Sequence, residues 1–168
     1  MLLRIMIVIS KAIDIIVLTS LGAISIFTVI NSTSLKRRKM ETRYILEKGS
    51  AEINEDFLVM QDNIFGVFDG ATSLTGRTFH KGKTGGEIAA QTAGAVFSRN
   101  HYPLTRLAGR ANREILAQMV RNGVNISKKE NLWSASAAVV RMEPERLEWV
   151  QTGDADIILV YEDGTHKT

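Results

Sequence analysis

The spacing of apolar and polar positions between residues 54 and 70 predicts a β-hairpin. Two short apolar runs, 57–60 and 64–68, are separated by the turn-forming residues 61–63. Glu55 and Asp69 stand at the outer ends of the two predicted strands, so the hairpin is expected to bring their carboxylates side by side. Carboxylates next to a glycine carbonyl are ligands that a hard divalent cation prefers. The sequence therefore predicts a magnesium or manganese site at the open end of the hairpin.

The segments after the hairpin alternate between helical and strand patterns. Apolar residues recur at helical spacing over 85–99 and again from Pro103 until Asn122-Gly123, which predicts two helices that cover one face of a sheet. Further strands are predicted at the following ranges: 42–47, 133–142, 147–152 and 156–161. Their short connections indicate an antiparallel meander for the last three. The chain is thus expected to be an α+β protein, and a further strand is expected where it stops.

The first 39 residues differ from the rest of the chain. Residues 15–30 are apolar without a charge, whereas Lys11 and Asp14 interrupt the run on its N-terminal side. Such a run predicts an apolar helix of marginal length for crossing a membrane, with association expected through residues 12–30. The basic run 36–39 then favours a cytoplasmic location for the domain after it. The alternative is an upstream extension of a domain that begins at Met40, so the predicted organisation is 1–39 and then 40–168.

Composition narrows the chemistry that the chain can perform. The 168 residues contain no cysteine and only three histidines, which excludes thiolate sites and disulfides. The net charge of +3 arises largely from the single basic run 36–39, which argues against a nucleic-acid-binding face.

The segment 71–86 is rich in Gly, Thr, Ser and Lys and is predicted to be a loop. Gly82-Lys83-Thr84 resembles the end of a phosphate-binding loop. That motif requires a glycine five residues before Gly82, and the glycine here is Gly76, one position too early. A basic loop is therefore favoured over a nucleotide-binding one.

Five short motifs occur in a fixed order along the chain. They are Asn54-Glu55-Asp56, Gly66-Val67-Phe68-Asp69-Gly70, Gly85-Gly86-Glu87-Ile88-Ala89, Ser134-Ala135-Ser136-Ala137 and Gly153-Asp154. In residues and in spacing, the chain from about Thr42 onward resembles the metal-dependent protein phosphatases of the PPM or type 2C family. It resembles the N-terminal half of that domain.

The resemblance implies a fold, an activity and a set of ligands. The fold is an α-β-β-α sandwich of two antiparallel sheets flanked by helices. The activity is hydrolysis of phosphoserine and phosphothreonine in a phosphorylated protein substrate, by a water that bridges two Mg²⁺ or Mn²⁺ ions. Asp69 and Glu55 would be the catalytic residues. The metal ligands would be Glu55, Asp69, the Gly70 carbonyl and, near a further ion, Asp154.

Two positions depart from the family pattern. The family commonly has an arginine four residues before the glutamate, where this chain has Ala51, and often a histidine after Asp-Gly, where it has Ala71. Arg77, His80 and Lys83 in the following loop are candidates to replace the missing phosphate contacts. The departures leave an alternative, a catalytically inactive pseudophosphatase or a module that binds phosphoproteins.

Overall fold

The computed structural model describes residues 53–71, 75–143, 146–160 and 165–167, together with the backbone of four strands that precede residue 53. The chain divides into two compact units. One unit is Glu55–Gly153, and the other combines Met1–Asn54 with Asp154–Thr168.

The described elements comprise ten strands and two helices, with a short 3₁₀ turn before α1 and another after α2. In chain order they are β1 (Leu3–Ile9), β2 (Ile13–Leu18), β3 (Ile24–Asn31), β4 (Lys39–Leu46), β5 (Asp56–Gln61), β6 (Ile64–Ala71), α1 (Gly85–Phe97), α2 (Leu104–Arg121), β7 (Ser134–Met142), β8 (Leu147–Thr152), β9 (Ala155–Val160) and β10 (His166–Lys167). The chain is therefore a mixed α+β protein, as the sequence predicts.

The unit Glu55–Gly153 is a four-stranded antiparallel sheet with both helices on one face. The strand order is β5-β6-β7-β8, and α1 packs on β5, β6 and β7. Phe68 of β6 and Phe97 of α1 are fully buried, with ring centroids 5.5 Å apart. Gly94 lets α1 approach β5 closely, since a Cβ at this position would lie 2.3 Å from the Phe57 ring.

Local sequence signals set both ends of the second helix. Pro103 precedes the first turn, where its missing N–H leaves no donor unsatisfied. At the other end Gly123 has φ +65°, and the Val124 N–H donates to the Met119 carbonyl at 3.0 Å. A residue in this left-handed conformation ends helices and favours glycine. The predicted stop at Asn122-Gly123 is confirmed.

A buried arginine joins the sheet to the connection between the helices. The Arg141 guanidinium donates to Asn100 Oδ1 at 2.7 Å, to Glu148 Oε2 at 2.9 Å and to the Tyr102 carbonyl at 2.6 Å. The other oxygen of Glu148 accepts from the Leu104 N–H at 2.8 Å, at the start of α2. The three guanidinium nitrogens are thus paired, which is what burial of a charge requires.

Replacement of Glu148 by Ala is expected to destabilise the protein by about 2 kcal/mol, because Arg141 loses its counter-charge and α2 loses a capping acceptor. Urea denaturation measures the change. Glu143→Ala is the matched control, since the Glu143–Arg146 pair is at the surface, and it is expected to change stability little. Equal urea midpoints for Glu148→Ala and the wild type would contradict the stabilising role of Glu148.

The second unit contains a six-stranded sheet of order β10-β9-β1-β2-β3-β4. Both sheets are thus antiparallel, as the sequence predicts, apart from one parallel pair, β1 and β9. The predicted strand at 42–47 corresponds to β4. The predicted meander is wrong at its last step, because β9 pairs with β1 and β10 and not with β8.

The predicted apolar N-terminal helix is also wrong for the described segments, whose backbone forms β2 and β3. These segments contain six isoleucines and two valines, whose β-branched side chains favour strands. In the part of the chain that the structure describes, no helix is both long enough and apolar enough to cross a membrane. Residues 39 and 40, between which the domain boundary is predicted, both lie in β4, and the boundary itself remains a prediction.

Candidate functional site

The hairpin of β5 and β6 forms as predicted, but its register pairs Asp69 with Asp56 and not with Glu55. Directly opposed residues of an antiparallel pair place their side chains on the same face. Glu55 precedes β5, and its side chain contacts Thr84 at the start of α1. Asp56, and not Glu55, is therefore the residue directly opposite Asp69 in the hairpin, and the role of Glu55 as a metal ligand remains a prediction.

Asp56 and Asp69 interact strongly. Burial of Asp56 raises the pKa of its carboxyl group to about 7, with further contributions from the charge of Asp69, a hydrogen bond to Asp69 and the charge of Glu55. Two adjacent carboxylates resist simultaneous ionisation. The open end of the hairpin thus concentrates negative charge that a proton or a cation relieves.

This pair predicts a pH-dependent stability in the absence of divalent ions. The pKa of Asp56 is raised from 3.8 to about 7 in the folded protein, so its contribution to stability is complete below pH 4 and is lost as the pH rises towards 7. Asp56→Asn is therefore expected to match the wild type at pH 4 and to exceed it at pH 8. Partial exposure screens the repulsion, so the gain is on the order of 1 kcal/mol. Urea denaturation in EDTA at both pH values measures it, and an equal difference at both would contradict the coupling.

Glu55 has a different environment, at the N-terminus of α1. Its side chain is buried, and its Oε1 accepts a hydrogen bond from the Thr84 hydroxyl. The same hydroxyl accepts from the Glu87 N–H at 3.1 Å, so Thr84 caps α1 while it holds Glu55. The positive end of the helix dipole favours a carboxylate here. This contact fixes the end of β5 to the start of α1.

Two glycines make that contact possible. A Cβ at Gly70 would lie 2.3 Å from the Gly86 carbonyl oxygen, and a Cβ at Gly86 would lie 2.9 Å from Glu55 Oε1. The Gly70 N–H also donates to the Glu55 carbonyl at 3.3 Å. Only glycine at both positions lets β6 and α1 approach this closely.

The sheet face that carries Asp56 and Asp69 continues from the hairpin onto β7. Ser136 of β7 is opposite Asp69, so it shares the face that carries Asp56 and Asp69. Gly153, with φ +74°, lies over Ser136, and a Cβ on Gly153 would be 2.3 Å from Ser136 Oγ. This close approach explains why the fourth and fifth motifs contain small residues.

The remaining predicted site residues are placed differently. Asp154 is exposed in the turn after β8 and belongs to the other compact unit, so its role as a metal ligand remains a prediction. Ala51 lies outside the described residues. Ala71, which stands where the family often has a histidine, is exposed at the end of β6.

The three loop residues proposed for phosphate have distinct surroundings. The Lys83 ammonium donates to Gln91 Oε1 at 2.5 Å and lies 3.2 Å from Glu87 Oε1, so it is engaged along α1. The Arg77 guanidinium stacks 5.0 Å from the centre of the Phe79 ring. His80 is exposed in the 3₁₀ turn at 80–82. Their role as phosphate contacts remains a prediction.

The donor chemistry of the site suits a hard divalent cation. Asp56 and Asp69 supply carboxylate oxygens on one face, and their mutual repulsion is relieved by a bound positive charge. Glu55 is one residue away, although its Oε1 is taken by Thr84. Within 53–71, 75–143, 146–160 and 165–167, no three His, Cys, Asp or Glu side chains are placed to hold a metal ion together.

Two features of this site escape prediction from the sequence. Asp56 resembles an ordinary acidic residue at a turn, and only the cross-strand register reveals its pairing with Asp69. The second feature is the contact between Thr84 and Glu55. The spacing Thr84-x-x-Glu87 is a helix-capping pattern that marks the start of α1 in the sequence, but it does not indicate this contact. The contact from Thr84 to Glu55 spans 29 residues and has no local signal.

Comparisons of the chain with protein-family models, with curated proteins and with solved structures gave no match.

Proposed function

We propose that the chain is a metal-dependent phosphatase that hydrolyses phosphoserine and phosphothreonine in proteins, as its resemblance to the PPM or type 2C family implies. The observation that carries the proposal is the pairing of Asp56 with Asp69 across the hairpin, where burial and repulsion raise the pKa of Asp56. A carboxylate pair of this kind suits Mg²⁺ or Mn²⁺. The finer architecture, an α-β-β-α sandwich, belongs to the same proposal.

The chain's own residues have separable tasks in this proposal. Asp69 and Asp56 hold the cation, while Glu55 fixes the end of β5 to the first turn of α1 through Thr84. When bound, two Mg²⁺ or Mn²⁺ ions supply a water of lowered pKa and positive charge for the phosphoryl oxygens. Gly70 and Asp154 complete the proposed ligands by resemblance.

The direct test is release of phosphate from a phosphothreonine peptide by the purified protein, with Mn²⁺ and then with EDTA. Hydrolysis that requires Mn²⁺ and returns when Mn²⁺ is restored is expected. Hydrolysis that persists in EDTA would contradict the proposal.

A second candidate is a pseudophosphatase that binds phosphoproteins without hydrolysing them. The observation that favours it is the presence of Ala51 and Ala71 where the family commonly has an arginine and often a histidine. The two functions differ in a single measurement. Retention of a phosphopeptide without release of phosphate, in saturating Mn²⁺, would identify the binding module.

A further inference from the structure

We infer that a basic groove beside α1 binds an acidic segment of the protein substrate. The groove is a cavity of about 460 Å³ between the turn at 80–82 and the two helices. The charged and titratable groups that line it are His80, Lys81, Lys83, Arg99 and Glu114. The identity of this ligand as part of a phosphorylated substrate rests on the proposed function.

The charge of the groove favours an acidic ligand. Glu114 is the single acidic residue among the lining residues, against Lys81, Lys83 and Arg99. Lys83 is paired with Glu87, whereas Lys81 and Arg99 are exposed and form no salt bridge among the described residues. Two cations therefore remain to attract an anionic segment.

The turn that presents Lys81 is held in place from both sides. The Phe79 N–H donates to the Lys83 carbonyl at 2.8 Å, and the Gly82 N–H donates to the Phe79 carbonyl at 3.0 Å. The Phe79 ring packs edge-on against the buried Trp133, with centroids 4.6 Å apart. A turn fixed in this way loses little conformational entropy when a ligand binds, which favours recognition.

The groove is long enough for a short extended peptide. Its lining begins at the turn that leads into Thr84, the residue that contacts Glu55, and continues along α1 from Ile88 to Val96. The eight helical steps from Ile88 to Val96 rise about 12 Å, which equals about four residues of extended peptide. An acidic stretch of about four residues would therefore fit along the groove, near Lys81 and Arg99.

Binding can be measured without hydrolysis. Two labelled, unphosphorylated peptides are compared by fluorescence anisotropy at low ionic strength, one with four consecutive glutamates and the other with glutamines at those positions. The wild type is expected to bind the glutamate peptide more tightly. Lys81→Glu combined with Arg99→Glu is expected to weaken that binding roughly tenfold and to leave the glutamine peptide unaffected.

The matched control is Arg113→Glu, an exposed arginine on α2 that does not line the groove. It is expected to retain at least half of the wild-type affinity. Equal binding of the two peptides, an equal loss in Arg113→Glu, or tighter binding of an oligonucleotide of the same charge would overturn the inference.

The same experiment separates this inference from the proposed function. Preferential binding of the glutamate peptide by a protein that releases no phosphate would support the groove and count against the phosphatase. Mn²⁺-dependent hydrolysis without any preference for acidic peptides would support the phosphatase and overturn the groove.

Discussion

Replacement of Asp69 by Asn is expected to lower Mn²⁺-dependent hydrolysis of a phosphopeptide by at least about 10³-fold, because several kcal/mol of metal-based stabilisation depend on this carboxylate. Asn keeps the size of the side chain and can still hydrogen-bond to Asp56. The variant is therefore expected to fold, and without metal it is expected to be at least as stable as the wild type, since a repulsive charge is removed. Steady-state rates and urea denaturation measure the two effects.

The hairpin supplies its own control for this substitution. Asp62 lies in the turn at the other end of β5 and β6, is exposed and has φ +52°, a conformation that Asn tolerates well. Asp62→Asn makes the same chemical change and is expected to retain full activity. Comparable losses in both variants, or full activity in Asp69→Asn, would contradict the assignment of Asp69.

Replacement of Gly70 by Ala is expected to destabilise the protein by at least about 3 kcal/mol, at the upper end of the cost of overpacking. The new Cβ would lie 2.3 Å from the Gly86 carbonyl oxygen and 2.9 Å from the Glu55 carbonyl oxygen. Both contacts are with backbone atoms, so no side-chain rotation relieves them, and β6 must move away from α1. Urea denaturation measures the loss of stability.

Replacement of a different glycine by alanine is expected to change stability in the opposite direction. Gly109 lies within α2, and its nearest neighbour to a new Cβ is the Arg113 guanidinium at 3.7 Å. Gly109→Ala is therefore expected to stabilise the protein by about 0.5–1 kcal/mol, through the higher helix propensity of alanine. A similar loss of stability in both variants would show that the approach of Gly70 to Gly86 is not the cause.

The helices and the hairpin could be predicted from the sequence because their signals are local. Apolar spacing and the turn residues at 61–63 place β5 and β6, while Pro103 and Gly123 mark the ends of α2. The pairing partner of Asp69 could not be predicted in this way. A shift of one residue exchanges the faces of a strand, and the sequence has two adjacent acids, Glu55 and Asp56, at that position.

The path of the chain after β8 could not be predicted from the sequence either. A two-residue connection such as Gly153-Asp154 is typical of a hairpin. Here it joins β8 of one sheet to β9 of the other, and β9 pairs with β1, which lies near the opposite end of the chain. Pairing over such a distance leaves no local pattern. The apolar N-terminal segments likewise fit a helix or buried strands by hydropathy alone.

The contact between Glu55 and Thr84 changes the interpretation of the motifs. Glu55 accepts a hydrogen bond from Thr84, which also caps the first turn of α1. The first and third motifs therefore contribute to one structural contact, between the end of β5 and the start of α1. Asp56 and Asp69 then form the part of the site where negative charge is concentrated. We therefore expect substitution of Thr84 to act on stability and substitution of Asp69 to act on metal binding.

Calorimetric titration of the wild type and of Asp69→Asn with Mn²⁺, at pH 8, tests the cation site most directly. The wild type and Asp62→Asn are expected to bind Mn²⁺ with matching affinity, whereas Asp69→Asn is expected to show no binding at the same concentrations. Absence of Mn²⁺ binding by the wild type, or equal binding by Asp69→Asn, would contradict a metal site at the Asp56–Asp69 pair.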